Sequence, residues 1–373
     1  NVSGQDADER TILWLALYLA LWDSVKLQRD VLERYPRPED ALAAPAGELR
    51  ALGCDEDRIR RLRLPFSVEA AHKEFDLAKK KGYSLLTFED GEYPLFLREI
   101  FDPPCVLYYR GRSEALRGPA VALVGTRKPT PYGKAVAERL AEDLASRGIV
   151  IVSGLALGID ACAHGGALKG GRTVAVLGSG LDVMYPRHNR RLADAIASRE
   201  GAVVSEFPLG TEPFAGNFPR RNRIIAGLSQ TVVVVEAAEQ SGSLITAQLA
   251  LDEGREVAAV PGNVTSEVSR GTHRLLRLGA KLVESWVDVA EELPPGLRDE
   301  ILSRGAGATG RLPLPTAEEA GVLDSLSADA ATSVDALVEA TNRPVTEVLA
   351  LLLSLEVKGL IAAGPGACFR RRM

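Results

Sequence analysis

From residue 120 onward the chain alternates short, mostly apolar runs with stretches long enough for a helix. The runs fall at 121–124, 149–152, 173–177, 202–205, 231–235, 256–260 and 280–283, and β-branched residues dominate them. A run that is apolar on both faces needs cover on both faces, and a crossover of helix length allows the next strand to lie parallel. The pattern predicts an α/β unit over 115–293, a Rossmann-like, mostly parallel sheet with helices on both sides.

The flanks follow a different period. Residues 9–64 read as short helices, with apolar or amphipathic segments at 13–21, 23–35 and 40–52, the last stopped by Gly53. They predict a small helical domain over 1–75. After Pro65 a helix-like stretch ends in Lys79, Lys80, Lys81 and Gly82, and a proline-punctuated, extended segment follows at 93–110. Residues 76–114 are therefore expected to be a connector leading into the central domain. Beyond it, Pro294, Pro295, Gly296, Gly305, Gly307, Gly310, Pro313 and Pro315 predict a linker over 294–316. The remainder, 317–373, reads as helices at 317–326, 333–340 after the cap-like Thr332, and 344–358 with Pro344 in its first turn. Gly359 and a β-ribbon would follow, and three helices with a hairpin suggest a winged helix.

Composition narrows the function classes. The 373 residues carry 45 Lys plus Arg against 50 Asp plus Glu, a formal charge of -5, with 46% hydrophobic residues, which excludes disorder as the main state. No apolar run reaches the eighteen residues a membrane helix needs; the stretch at 12–21 is too short. Asp6, Asp8 and Glu9 do not make the basic start of a signal peptide, so a cytoplasmic location is expected. Cys54, Cys105, Cys162 and Cys368 lie far apart without a C-x-x-C pair, which argues against a zinc site and a disulfide framework. No metal site and no cofactor is expected. With an acidic overall balance, any site for a polyanion has to be a local basic patch.

In an open parallel sheet ligands sit outside the carboxyl ends of the strands. The residues there are Gly125, Thr126, Arg127 and Lys128; Ser153 and Gly154, then Gly158 and Asp160; Gly178, Ser179 and Gly180; and Glu236, then Ser241, Gly242 and Ser243 at a helix start. Glycine admits a bulky oxyanion close to the backbone, and a helix start offers unpaired N–H groups, so the set predicts anion binding. No loop matches G-x-G-x-x-G or the G-x-x-x-x-G-K-[ST] phosphate loop, so neither NAD nor an ATP-type site is supported. The segment at 218–229 adds Arg220, Arg221, Asn222 and Arg223 without one acid, which favours phosphate contact over a solvated charge run. Asp160 and His164 share a helix face at i, i+4, where an internal hydrogen bond is the better reading than a metal site. Glu206 and Glu236 also end strands, but nothing places a nucleophile or metal beside them, so no catalytic residue is assigned.

These residues resemble the DNA-processing protein A family (DprA, also called Smf) of natural transformation. The likeness rests on VGTRKPTPYG (124–133), SGLALGIDACAHGGAL (153–168), TVAVLGSGLDVMYP (173–186), VSEFPLG (204–210) and FPRRNRIIAGLS (218–229). It continues through VVEAAEQSGSLITAQLALDEGREVAAVPG (234–262) and GTHRLLRLGAKLV (271–283), with YPLFLREIFDPPCVLYYRG (93–111) as a lead-in. The resemblance implies a binding protein rather than an enzyme. Such proteins bind single-stranded DNA, interact with the RecA recombinase, load it onto incoming DNA, and dimerise.

By the same likeness the G-[ST]-R element is Gly125, Thr126 and Arg127, the basic position before the third strand is Arg172, and the homodimer surface of the Rossmann-like domain includes His273, Leu276 and Leu282. The bland reading of the two leucines is intradomain core. The N-terminal unit resembles a sterile-alpha-motif (SAM-like) domain and the C-terminal unit the family's winged helix. Residues 313–373 hold five Lys or Arg against eight Asp or Glu, a net of -3, which suits a protein contact better than a major groove. Arg370, Arg371 and Arg372 are either a phosphate contact or a solvated terminus. Aromatic residues are only 5% of the chain, with Tyr132, Tyr185, Phe207, Phe214 and Phe218 the stacking candidates, so a salt-sensitive, backbone-dominated mode is expected. The alternative is a nucleotide-processing enzyme of the phosphoribohydrolase (lysine decarboxylase-like) type. Its P-G-G-x-G-T-x-x-E element is matched poorly, because Ser243, Leu244 and Ile245 stand where glycine and threonine belong.

Overall fold

The computed structural model describes residues 2–306, 316–327, 331–357, 360–364 and 368–371. The apolar runs form the strands the pattern predicts: β3 (Ala120–Val124), β4 (Val150–Ser153), β5 (Thr173–Val176), β6 (Ala202–Ser205), β7 (Thr231–Val234), β8 (Glu256–Ala259) and β9 (Lys281–Leu282). All of them pair in parallel, and β3 to β7 are buried at every position, as a sheet covered on both faces requires. The order β6-β5-β4-β3-β7-β8-β9 puts β3 in the middle, with the chain building outward on one side and then crossing to the other.

Two further strands come from the segment read as a connector. β1 (Ser84–Thr87) pairs antiparallel with β2 (Val106–Gly111), and β2 pairs antiparallel with β6, so the sheet has nine strands in the order β1-β2-β6-β5-β4-β3-β7-β8-β9. The prolines lie between the two strands rather than in them. Tyr93, buried there, donates its hydroxyl to the Pro104 carbonyl and pins the excursion down. A second departure concerns the expected linker: Pro295–Ala306 is a helix, and its Ile301 is buried against the sheet's helical layer. Proline is compatible with a first helical turn, where its missing N–H has no partner to lose. Gly307, Gly310, Pro313 and Pro315 lie outside the described residues.

Six helices precede the sheet: Val2–Leu21, Val25–Arg34, Pro38–Ala43, Ala46–Ala51, Glu56–Leu62 and Phe66–Lys80. Pro45 divides the stretch expected as one helix at 40–52. Ser24 and Asp55 cap two of the helices through the Leu27 and Arg58 amides. These helices do not keep a core to themselves. Trp14, Tyr18 and Leu21 belong to one continuous cluster with Cys105, Val106, Ala175, Leu177 and Val203 of the sheet. Phe66–Lys80 crosses the boundary expected at residue 75, and its Glu74 accepts from Tyr108 Oη on β2 and from the Leu209 amide.

The C-terminal unit has helices Ala317–Asp324, Val334–Thr341 and Val345–Val357 and a sheet of β10 (Thr332–Ser333), β11 (Ile361–Gly364) and β12 (Cys368–Arg371) in the order β10-β12-β11. Three helices and a β-ribbon make the expected winged helix, with Val322, Leu337, Val348 and Leu355 at its centre. Thr316 and Glu319 cap its first helix reciprocally. The second is capped by Ser333, not by Thr332. Lys358, Gly359 and Arg372 lie outside the described residues.

Candidate functional site

The crossing of the chain from one side of β3 to the other leaves loops diverging at the carboxyl ends of β3 and β7, the position where open α/β sheets hold ligands. A cleft of about 520 Å³ opens there. The loop after β3 lines it with Gly125, Thr126, Arg127 and Lys128, the helix Asn217–Gly227 with Arg221 and Asn222, and the start of the helix Gly242–Asp252 with Ser241, Gly242 and Ser243. These three segments, far apart in sequence, thus meet at the strand ends. Pro219, Ile225 and Ile245 line it as well. They were missed because apolar residues on a helix read as core; Ile245 is 45% exposed at the mouth.

Arg221 forms the floor. It donates to the Gly154 carbonyl at 2.6 Å, to the Val176 carbonyl, and to Asn222 Oδ1 at 3.1 Å. Burial pushes its guanidinium down to about 10, with the nearby charge of Arg127 acting in the same direction and Asp160 opposing. Asp160 is buried and accepts from the Gly154 and Ala156 amides, which ties down the turn before its helix. Burial raises its carboxyl above the usual range, against Arg221 and these amides. Asp160 and His164 do not bond each other; His164 instead meets Thr173 at 2.7 Å.

The arginine segment is divided by the structure. Arg220 and Arg223 turn away from the cleft and converge on Glu206, which is fully buried at the end of β6, Arg220 at 3.0 Å. Arg220 also donates to the Trp22 carbonyl and Arg223 to the Asp102 carbonyl, so both lock the N-terminal helices and the β1–β2 excursion to the sheet. A helix turns by about 100° per residue, so neighbouring arginines cannot share one face.

The glycines are used differently from expectation. A Cβ on Gly154 would lie 2.5 Å from the Arg221 guanidinium, one on Gly125 2.7 Å from Ile159, and one on Gly178 2.9 Å from the Phe218 ring. Protein fills the room each of these leaves. At Gly242 alone of the four, the added carbon meets nothing within 4 Å, so this is where backbone faces open space at a helix start. Ser241 caps that helix, and its hydroxyl lies 2.7 Å from that of Ser243. Ser153 is buried and donates to the Leu123 carbonyl. Arg172 precedes β5 and therefore sits at the amino edge of the sheet beside Gly118, opposite the cleft. In a parallel sheet, residues before and after a strand lie at opposite edges.

What remains open to solvent is a pair of cations and an aromatic. Arg127 and Lys128 are exposed, and neither side chain has an ion pair or hydrogen bond among the described residues. Arg127 stands over the Phe218 ring at 5.5 Å, and Tyr185, 44% exposed, packs against the same ring with centroids 5.8 Å apart. Glu236, which also ends its strand, is 3% exposed and accepts from both the amide and the hydroxyl of Thr130. At the edge of the sheet, His273 is half-buried against the Gly262 backbone. Leu276 is half-buried and Leu282 is 43% exposed, so neither is core; Leu278, unmarked by the sequence reading, is 74% exposed beside them.

His164 supplies a pH prediction. Thr173 donates its one hydroxyl proton to the Ile151 carbonyl, so His164 Nδ1 donates to Thr173 and Nε2, buried without a partner, is the bare nitrogen. Burial first and Arg221 second hold its pKa down to about 3, against an ordinary 6.5. The unfolded chain takes up this proton below pH 6.5 and the folded one does not, so this residue's contribution is present above 6.5 and is lost as pH falls toward 3. The slope is about 1.4 kcal/mol per pH unit inside that window. Urea unfolding between pH 6 and pH 4.5 should show His164→Gln losing less stability on acidification than the parent by that slope. Parallel pH profiles would contradict the assignment.

Comparison with known proteins places this geometry. The family model for DNA recombination-mediator protein A matches residues 84–294, and that for the DprA winged helix domain matches residues 306–367. Protein Smf of Escherichia coli (strain K12) is 42% identical over 301 residues, covering 79% of either chain. The DNA processing protein DprA of Streptococcus pneumoniae is 46% identical over 228 residues, 61% of this chain and 79% of its own. Among solved structures, DprA from S. pneumoniae superposes with a TM-score of 0.65 at 39% identity, covering 73% of this chain and 94% of that one. DNA processing protein A from Helicobacter pylori, a protein with a described single-stranded DNA binding mode, gives a TM-score of 0.51 at 33% identity over 60% of this chain and 96% of its own.

Proposed function

The chain belongs to the DNA recombination-mediator protein A (DprA/Smf) family, and from that premise we propose that it binds single-stranded DNA in the cleft between β3 and β7 and acts as a recombination mediator. The observation that carries this reading is the charge imbalance of the cleft: Arg127, Lys128 and Arg221 stand against the single carboxylate of Asp160. An anion entering there relieves repulsion between two guanidiniums, and the open backbone at Gly242 adds N–H donors at a helix start. Phosphates would be held by Arg127, Lys128 and these amides, with Arg221 contributing its field from below. Bases would stack on Phe218 and Tyr185, a mode that tolerates every sequence because each base has a π-face. Arg220 and Arg223 serve the site by holding the helix that carries Arg221 and Asn222. The single-stranded DNA binding of the H. pylori relative supports the same reading.

In this account the protein performs no chemistry of its own. The two buried strand-end carboxylates are spent on structure, Glu206 on two arginines and Glu236 on Thr130. The finer steps of the proposal are protection of incoming DNA and loading of RecA during natural transformation. A homodimer would form through the face that bears His273, Leu276 and Leu282, where Leu278 and Leu282 offer exposed apolar surface. The winged helix, with its net of -3 over 313–373, is assigned to protein contact rather than to DNA.

The test is fluorescence anisotropy with labelled single-stranded and duplex oligonucleotides of equal length over a salt series. Binding that prefers the single strand, with log affinity falling linearly against log salt by about 0.7 per phosphate held, is the expected result. Lack of binding at low salt would overturn the proposal.

A further inference from the structure

A second cavity, of about 580 Å³, opens at the carboxyl edge of the sheet, between the start of the helix Pro131–Ala145 and the chain that follows β8. It shares no lining residue with the cleft, and its charge is of the opposite sign. Glu236, at the end of β7, is the one charged residue among those that line it; the arginines and lysine of the cleft have no counterpart here.

The carboxylate is held in place from one side. Its Oε2 accepts from the Thr130 amide at 2.9 Å and its Oε1 from the Thr130 hydroxyl, at the start of the helix Pro131–Ala145. A Cβ on Gly133 would collide with it, so glycine in that first turn lets the acid approach, and the positive end of the helix stands in for a cation. This structural duty uses two of the roughly four lone-pair positions of a carboxylate. No other donor among the described residues reaches the Glu236 side chain, although it is 3% exposed.

An occupant of this cavity therefore has to donate hydrogen bonds and has to bring no negative charge beside the acid. A phosphate fails on both counts. A hard metal ion needs several oxygen ligands, and no group of three His, Cys, Asp or Glu stands together among the described residues. A vicinal diol meets the requirement: two hydroxyls at a fixed short spacing give one proton to each carboxylate oxygen, the use that dinucleotide-binding sheets make of a strand-end acid on ribose. The rest of the lining suits the rest of a nucleoside. Ser266 offers a hydroxyl without a partner among the described residues, and Tyr132, tied by its own hydroxyl to the Pro261 carbonyl at 2.8 Å, adds apolar wall for a flat ring. The volume lies within the ~300–1,000 Å³ typical of small-molecule sites.

We propose that this cavity binds a ribonucleoside, with the 2′,3′-diol on Glu236 and the base against Tyr132 and Pro261. Any phosphate the ligand carries stays outside, because nothing in the lining would hold it. The site selects ribose over deoxyribose, since a deoxynucleoside leaves one lone pair of the buried acid without its proton. The inference does not depend on what the cleft binds.

The experiment is isothermal titration calorimetry of the whole protein with adenosine, guanosine, cytidine and uridine, each beside its 2′-deoxy form. At least one ribonucleoside should bind with a Kd below about 1 mM, and its deoxy form about tenfold or more weaker. Glu236→Gln should weaken the ribonucleoside by a similar factor and bring the two forms together. Because Glu236 also holds the helix start, Ser266→Trp is the second variant: it leaves the Thr130 bonds alone, fills the cavity, and should abolish the heat at an unchanged unfolding midpoint. No heat from any of the four, equal affinities for ribose and deoxyribose forms, or full binding by Ser266→Trp would overturn the site. Loss of the heat in Arg127→Ala would place the nucleoside in the cleft and overturn it as well.

Discussion

Arg127→Ala is expected to weaken single-stranded DNA binding about 10- to 100-fold, equivalent to ~1–3 kcal/mol, while leaving the unfolding midpoint of the protein unchanged. The argument is one of partners. Arg127 is exposed, and its guanidinium has neither ion pair nor hydrogen bond among the described residues, so its removal leaves no buried group unpaired. Its one neighbour of consequence is Phe218, over whose ring it stands at 5.5 Å. That pairing is useful to a ligand, since the ring can stack a base while the guanidinium holds the adjoining phosphate. The salt slope should shrink by about 0.7, one phosphate's share. Arg127→Lys should fall between parent and alanine, because lysine keeps the charge and loses the planar fork. Unchanged affinity at physiological salt in the alanine variant would remove Arg127 from the site.

Glu206→Gln should do the opposite, lowering stability by about 3–5 kcal/mol, the loss that follows when one partner of a buried ion pair is removed. Glu206 is fully buried and is the carboxylate on which both Arg220 and Arg223 close, with side chains only 15% and 9% exposed. Without it, two guanidiniums sit between the sheet and the N-terminal helices with only carbonyls for company. The denaturation midpoint in urea should fall while the salt slope of DNA binding in the remaining folded protein stays as in the parent, since neither arginine faces the cleft. A loss below about 1 kcal/mol, the range of a surface ion pair, would return Arg220 and Arg223 to the list of DNA contacts. Glu206→Gln thus tests whether two of the three arginines that a charge count over 220–223 merges, Arg220 and Arg223, serve the fold.

Much of the architecture was legible. The strands from β3 to β7 could be read because a strand covered on both faces has to be largely apolar, and that signature is local. The cleft was legible for the same reason: a residue following a parallel strand is at the carboxyl edge whatever its neighbours. β1 and β2 were not legible as sheet members, since four-residue and six-residue strands separated by prolines look like a connector until the excursion is seen to fold back. Pro295–Ala306 was hidden by its own prolines and glycines, overridden by burial of Ile301.

The sequence by itself therefore determined the class of fold, the edge of the sheet at which the cleft opens, and the kinship to a family of DNA-processing proteins. These follow from periodicity and from short motifs, both of which act over a few residues of backbone. Only the tertiary structure decided which arginines are free. Whether a guanidinium is available to phosphate depends on whether folding brings a carboxylate to it. Glu206 reaches Arg220 and Arg223 from 14 and 17 residues away, while no acid is brought to Arg127 among the described residues. It also decided that Gly125, Gly154 and Gly178 make room for protein while Gly242 borders open space, because the space beside a missing Cβ is owned by whatever packs there from elsewhere in the chain.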